Sequence, residues 1–298
     1  MNETASSRDG LAVTTYDASG RDRIALSAWR VMFRELHEFR ELVYRLVLRN
    51  FTSQFRQSFL GYLWIVFPPI ATTVVFALLR QADIVTIPLE DTDLPYALFA
   101  LLGVTIWGVF TQLAQACTGS ISAGGALVSK IYFPREVLVF SAAGNALIGG
   151  LLRAVVVLIS FAAFAYMPHW EIVLVPLVLL PTLMLAIGLG LFLAPINTMM
   201  HDMGRALEFI FQFGMFLVPS IYPTPDLTQS ESSWQVCLFW LHKLNPVSYG
   251  IDATRSLIST GSAELGPGFL ASSVLGLLVL ALGWRFFHAC EPLLAERL

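Results

Sequence analysis

Residues 60–79, LGYLWIVFPPIATTVVFALL, run for twenty positions without a charged side chain. A helix needs about 20 mainly apolar residues to cross a hydrocarbon layer roughly 30 Å thick, so this stretch reads as a membrane span. Pro68 and Pro69 interrupt it. Each removes a backbone donor and frees the carbonyl four residues earlier, which a membrane helix tolerates only where a neighbour supplies the missing partner. Working outward, the same test finds five more spans. These are 94–118; 137–167; 172–195, with Pro176 and Pro181; a shorter 206–221 beginning near Glu208; and 269–287, with Arg285 in its last turn. The expected fold class is all-α integral membrane, with six transmembrane helices.

Composition agrees. The 298 residues are 56% hydrophobic and 13% charged, against roughly 25% charged in a soluble domain. With 22 Phe, 7 Trp and a mean hydropathy of +0.69, the chain carries more apolar surface than a water-soluble fold can hide, so the bilayer is part of its solvent. The net charge of −3 says less than where the charges lie. With the N-terminus in the cytoplasm and six helices threaded, 14 of the 18 Lys and Arg fall inside. Arg80, Lys243 and Arg255 fall outside, and Arg153 lies within a span. Cytoplasmic loops carry the excess of Lys and Arg, so both termini are expected in the cytoplasm.

Two stretches are expected not to span. Residues 24–57 place Trp29, Met32, Leu36, Phe39, Val43, Leu46 and Val47 at the period of an amphipathic helix, with arginines between them. Such a helix suits the headgroup plane, where Arg40, Arg45, Arg49 and Arg56 would meet phosphates; packing on a cytoplasmic domain is the alternative. Between Tyr222 and Gly268, the run WQVCLFWLHKL (Trp234–Leu244) is too short to cross but apolar enough to enter the membrane. A pair of re-entrant helices before the last span is expected there. Residues 1–23 are polar, with three Arg and no apolar core or cleavage site, and read as a flexible cytoplasmic arm rather than a secretory signal. The transmembrane domain proper is then 58–298.

Several function classes lack their chemistry. A Walker A loop needs Gly-Lys-Ser/Thr so that the lysine reaches the phosphates, and neither Lys130 (after Ser129) nor Lys243 (after His242) sits in one. Ion-driven carriers keep Asp, Glu or His within their helices, and here only Glu208 comes near, at a cytoplasmic boundary. The five histidines fall in loops or at helix ends, and no H-E-x-x-H or G-x-S-x-G pattern is present. Cys117, Cys237 and Cys290 lie far apart without metal-ligand spacing. No catalytic residue, metal site or cofactor is expected in this chain, and uphill transport would draw its energy from another subunit.

Arg153 is the one charge near a helix centre. An intramembrane charge costs roughly 2.5–3.5 kcal/mol on insertion scales and usually faces a cavity or a partner. Arg153 therefore reads either as a path residue meeting an anionic group such as a lipid-linked phosphate, or as a structural donor to helix carbonyls. Aromatic rings crowd the first two spans, Trp64, Phe67, Phe76, Phe99 and Trp107 among them. Their faces could line a sugar path; lipid-facing packing and the interfacial aromatic belt are the alternatives.

Four ordered segments resemble a known family. They are LVLRNFTSQFRQSFLGYLWIVFPP (Leu46–Pro69), SKIYFPREVLVFSAAGNAL (Ser129–Leu147), NTMMHDMGRALEFIFQFGMFLVPSIYP (Asn197–Pro223) and LNPVSYGIDATRSLI (Leu244–Ile258). They are similar to the permeases of type-2 ABC transporters, and within these to the exporters of O-antigen, capsule and teichoic acid. The resemblance implies a homodimer in the bacterial cytoplasmic membrane, bound to two separate ATPase subunits that hold ATP and Mg. It implies that 119–135 docks on the ATPase through a short amphipathic helix, Ile121–Val128, which includes Leu127, followed by Lys130, Tyr132 and Arg135. It also implies a channel for a lipid-linked polysaccharide and no nucleic-acid partner. Arg49-Asn50 and His201-Asp202 stand where the family often has Arg-Asp. A drug- or lipid-exporting permease of the same type is the second reading. A membrane-embedded enzyme acting on a lipid carrier is the third, with Asp202 and Glu208 as its nearest carboxylates.

Overall fold

The computed structural model describes residues 28–54, 59–84, 93–128, 133–200, 202–224, 233–263 and 265–297. Among these there are ten α-helices, two short 3-10 turns and no strand. The helices are α1 (Ala28–Glu38), α2 (Arg40–Gln54), α3 (Leu63–Gln81), α4 (Tyr96–Val128), α5 (Glu136–Ala163), α6 (Val175–Met199), α7 (Asp202–Gly214), α8 (Ser233–Leu244), α9 (Pro246–Thr260) and α10 (Pro267–Arg297). Five segments among the described residues are long and apolar enough to cross a membrane: Leu63–Gln81, Tyr96–Gly124, Glu136–Ala163, Trp170–Met199 and Pro267–Pro292.

α4 is the central post. It touches α3, α5, α6, α7 and α9, and Leu98, Ala100, Leu113, Ala114, Cys117 and Ile121 along it are buried. No proline falls between Tyr96 and Pro134, so nothing stops helix propagation where the apolar run ends. The 33 residues of α4 span about 50 Å, well beyond the hydrocarbon layer. The separate amphipathic helix expected at Ile121–Val128 is thus the C-terminal end of α4 itself.

α6 packs on α10 and on α4 through small residues. A Cβ on Gly188 would meet the backbone of Leu280, one on Gly283 would meet the Gly188 carbonyl, and one on Gly190 would meet Cys117. Lipid tails offer no hydrophobic drive for helices to associate, so close backbone approach and its dispersion contacts must hold them.

The fifth expected span, 206–221, differs from the helix the sequence suggested. α7 ends at Gly214, a 3-10 turn follows at Met215–Leu217, and Val218 is extended. Pro219 is the reason: it restricts the residue before it to extended backbone and has no N–H to continue the ladder. α7 alone, at 13 residues or about 20 Å, is shorter than a hydrocarbon layer. The amphipathic stretch 24–57 also divides, into α1 and α2 at Phe39, although the Phe39 and Val43 amides still bond back to Glu35 and Phe39. Two short helices, α8 and α9, occupy the region before α10. α9 is launched by Asn245, whose side chain accepts from the Val247 amide at 3.0 Å, with Pro246 at its first position, and it ends at Gly261 in the left-handed conformation.

Candidate functional site

The polar groups that the apolar bundle retains define three places: mid-span and the two ends of the bundle. At mid-span, Pro69 has no N–H for the carbonyl of Ile65, four residues earlier. Arg153 on α5 fills that gap, its Nε donating to the Ile65 oxygen at 3.0 Å. Its Nη1 is buried beside Gly108 of α4 and has no hydrogen-bond partner among the described residues. The buried Oε1 of Gln112, next to Gly149 and Ile65, also has none among them. One proline on α3 and one arginine on α5 thus form a matched pair. The signal was legible in the sequence, but only the fold shows that they meet.

The path aromatics separate into two groups. Trp64 and Phe67 are exposed on α3 and touch each other edge to face, with centroids 5.9 Å apart. Phe76 is partly buried, 6.4 Å from the Phe216 ring. Phe99 and Trp107 lie inside the helix packing: Trp107 donates its indole N–H to the Phe211 carbonyl at 3.0 Å, and Phe99 lies under Arg255. α3 leaves an apolar groove of about 250 Å³ against α4 and α5, lined by Thr73, Val74, Ala77, Leu101 and Phe164 among others.

At one end of the bundle, Arg255 of α9 is only 5% exposed. Its guanidinium donates to the carbonyls of Phe99 (2.8 Å), Ser220 (2.6 Å) and Pro219 (2.5 Å), and its carbon lies 3.4 Å from the Phe99 ring centre. Asp252 is 3.9 Å away. Gly103 makes room, since a Cβ there would strike both Ser220 and Arg255. The carbonyls set loose by the break after α7 therefore find a cation. Others find hydroxyls: Ser220 donates to Met215 at 2.6 Å and Tyr222 to Phe216. The Tyr222 ring stacks on His242, whose Nδ1 is 3.2 Å from the Thr224 hydroxyl. Burial, and after it the Arg255 charge, pushes the His242 imidazole down to about 4.

At the opposite end, Asn197 of α6 accepts from the Gly204 amide at 2.8 Å and donates to the Thr118 carbonyl of α4 at 3.3 Å. It thereby fixes the entry to α7. Glu136, 1% exposed at the start of α5, receives the Trp284 indole N–H and faces His288 Nδ1, each at 2.8 Å, both from α10. Glu136, Arg255 and Asn197 were missed as site residues. Each sat in one of the four family-like segments, and a polar or charged side chain beside an apolar run is the signal that marks them.

Of the expected docking residues, Ile121 is fully buried in α4, and Leu127 lies in its last turn. Arg135 caps α5 and bonds across to α10: its amide donates to Glu291 Oε1 at 3.2 Å, and its Nη1 to the Glu291 carbonyl at 2.6 Å. Lys130 and Tyr132 lie outside the described residues, as does Arg56. Arg40, Arg45 and Arg49 are exposed or nearly so on α2, bonded to His37, Glu41 and Asn50 respectively.

The family described as ABC-2 type transporter matches residues 41–258. The chain belongs to that family. The match begins in α2 and runs through α9, taking in Arg153, Arg255, Asn197 and Glu136. Among curated proteins, this ABC-2 chain is 29% identical over 216 residues to the O-antigen export system permease protein RfbA of Myxococcus xanthus, covering 72% of this chain and 79% of that one. It is 22% identical over 256 residues to the protein of the same name from Klebsiella pneumoniae, covering 83% and 91%. It is 21% identical over 248 residues to the polysialic acid transport protein KpsM of Escherichia coli, covering 83% and 92%. As an ABC-2 transporter, the chain is a multi-pass membrane protein of transport rather than an enzyme.

Proposed function

We propose that this chain is the permease subunit of an ATP-driven exporter that carries a lipid-linked polysaccharide of the O-antigen type across the bacterial cytoplasmic membrane. The observation that carries the reading is the family match over residues 41–258, joined to relatives whose names all concern export or transport of polysaccharide. The missing Walker A lysine points the same way, because such a permease draws on ATP and Mg held by two copies of a separate ATPase.

Six crossings, with both termini in the cytoplasm, complete the proposal. Their support is a ruler built into α4. Asn197 ties the inner start of the α7 region to the Thr118 carbonyl, and Arg255 ties Pro219 and Ser220 to the Phe99 carbonyl. Phe99 and Thr118 are nineteen residues apart, about 28 Å along a helix axis, close to one hydrocarbon thickness. The chain from Gly204 to Ser220 therefore covers the depth of a full span even though its helix breaks. α8 and α9 then form the re-entrant pair at the outer face.

Two copies of the chain would enclose the path. Trp64, Phe67 and Phe76 on α3 are the rings best placed to meet sugar faces, with Phe99 and Trp107 supporting them from the packing behind. Arg153 Nη1 is the donor left for a passing anionic group. Arg40, Arg45, Arg49 and Arg56 would hold the first helices at the headgroups, and the inner end of α4 through Arg135, with Leu127, Lys130 and Tyr132, would receive the ATPase, while Ile121, fully buried, packs inside the chain and does not dock.

The test is co-purification from the native membrane in mild detergent, with mass spectrometry of bound protein and lipid. The expected result is a stoichiometric Walker-A subunit and a polyprenyl-linked glycan. A co-purified drug or simple lipid in place of the glycan would overturn the cargo. Recovery without any ATPase, under conditions that keep other complexes whole, would overturn the reading.

A further inference from the structure

The inner ends of α5 and α10 are joined by more than packing. Glu136 holds two donors at once, Trp284 Nε1 on one oxygen and His288 Nδ1 on the other, each at 2.8 Å and all three residues buried. Arg135, one residue earlier, binds the side chain and main chain of Glu291 on the same helix. Trp284 also carries the connection onward. Its ring lies 5.9 Å from Trp29 and 4.9 Å from Phe33, both on α1 and both edge to face, and 5.2 Å from Phe140 of α5. Between Trp29 and Phe33, Met32 is fully buried in the same core.

A buried acid that only stabilised packing would be a poor choice there. Replacing such groups with well-fitted apolar ones is often neutral or favourable, whereas a fully bonded polar cluster fixes one arrangement of its elements. The carboxylate is the side chain of its size with two acceptor oxygens and no donor. It can accept from an indole and from an imidazole N–H together, one on each oxygen. The cluster also occurs at a particular place, the first residue of α5, directly after the cytoplasmic segment that follows α4.

We propose that Glu136 is a positioning residue for energy coupling. It makes the start of α5, the last turns of α10 and α1 a single body, so that displacement of the cytoplasmic segment before α5 is passed to α10 and to the membrane-surface helix together. The proposal rests on the ATP-driven permease reading above. Glu136 touches neither ATP nor cargo; it acts through Trp284 and His288.

The test uses the full complex with its ATPase in nanodiscs. Nitroxide labels replace exposed Arg34 on α1 and exposed Met199 at the inner end of α6, and their separation is measured by pulsed EPR with and without a non-hydrolysable ATP analogue. The labelled parent is expected to show a nucleotide-dependent change in separation. Glu136→Gln keeps one acceptor and turns an amide towards the second donor. Trp284→Phe keeps a ring against α1 and removes the indole donor. In both, the separation is expected to stop responding to nucleotide, ATP hydrolysis to stay within about twofold of the parent, and surface glycan per ATP hydrolysed in the native host to fall at least tenfold. Glu136→Asp, which keeps both oxygens, is expected to recover part of the response. If Glu136→Gln fails to fold, Trp284→Phe decides alone. Variants that respond to nucleotide and export as the parent does would overturn the proposal. So would a proportional loss of hydrolysis and export, which a purely structural role predicts, or a parent that exports without any change in separation. A parent that binds no ATPase would instead overturn the permease reading itself.

Discussion

Arg153 and Pro69 are expected to be energetically coupled, because each compensates for what the other costs. In the native bundle the Ile65 carbonyl lacks its helical donor and takes Arg153 Nε at 3.0 Å instead. Arg153→Met removes a hydrogen bond from a charged group, worth about 1.5–3 kcal/mol, and leaves a carbonyl without a partner in the bilayer. It also removes an intramembrane charge whose insertion costs roughly 2.5–3.5 kcal/mol. The two nearly cancel, so the single variant should change stability by about 1 kcal/mol or less. Pro69→Ala restores an N–H to Ile65, and Arg153 then has no acceptor there. In that background the same Arg153→Met change should stabilise, by about 3 kcal/mol. The coupling energy of the cycle is therefore about 1.5–3 kcal/mol. Denaturant unfolding of the four purified proteins in one detergent measures it. Additivity within about 0.5 kcal/mol would show that the contact carries no energy and refute the reasoning.

Three further outcomes follow from the same geometry. Arg255→Gln abandons three carbonyls held by one buried cation and should destabilise by about 3–5 kcal/mol; hydrogen exchange by mass spectrometry should show Val218–Tyr222 losing protection before the α6–α10 seam does. Gly283→Ala places a methyl on the Gly188 carbonyl and should cost about 1–3 kcal/mol by forcing α6 and α10 apart, read as a lowered melting temperature. His242 is held down to about 4 from an ordinary 6.5, so its native form is neutral and binds fewer protons than the unfolded one. Its contribution is present above pH 6.5 and should be lost as the pH falls from there towards 4; His242→Phe should flatten that part of the stability–pH curve.

Most of the membrane spans were legible from hydropathy, even α3 and α6 with their internal prolines, because a bilayer demands length and apolarity that few other environments do. α3, α5, α6 and α10 overlap the stretches expected for them, and a helix pair stands where WQVCLFWLHKL suggested one. The ends were less legible. α4 continues past its apolar run to Val128 because termination needs a proline or a competing bond rather than a polar residue. The run 206–221 stops at Gly214 because Pro219 sets the backbone before it. Hydropathy scores both residues as ordinary.

The candidate site was the least legible part. Trp64, Phe67, Phe99 and Trp107 look alike in sequence, yet the first two are exposed and the last two are packed inside. Period and composition specify a helix but not which neighbour it faces. Glu136 stands without an assigned role and Arg255 counts only as an outside base until the fold supplies Trp284, His288, Phe99 and Ser220 from distant parts of the chain.

The sequence by itself determined that this protein lives in a bilayer and, through four ordered segments, the family to which it belongs. These follow from local quantities: apolar length and short strings of residues. Only the tertiary structure decided which carbonyl Arg153 satisfies, how a broken seventh helix is held to the post of α4, and which helices Glu136 joins. In a membrane interior every freed backbone group must find a partner, and most of those partners lie far away in the chain.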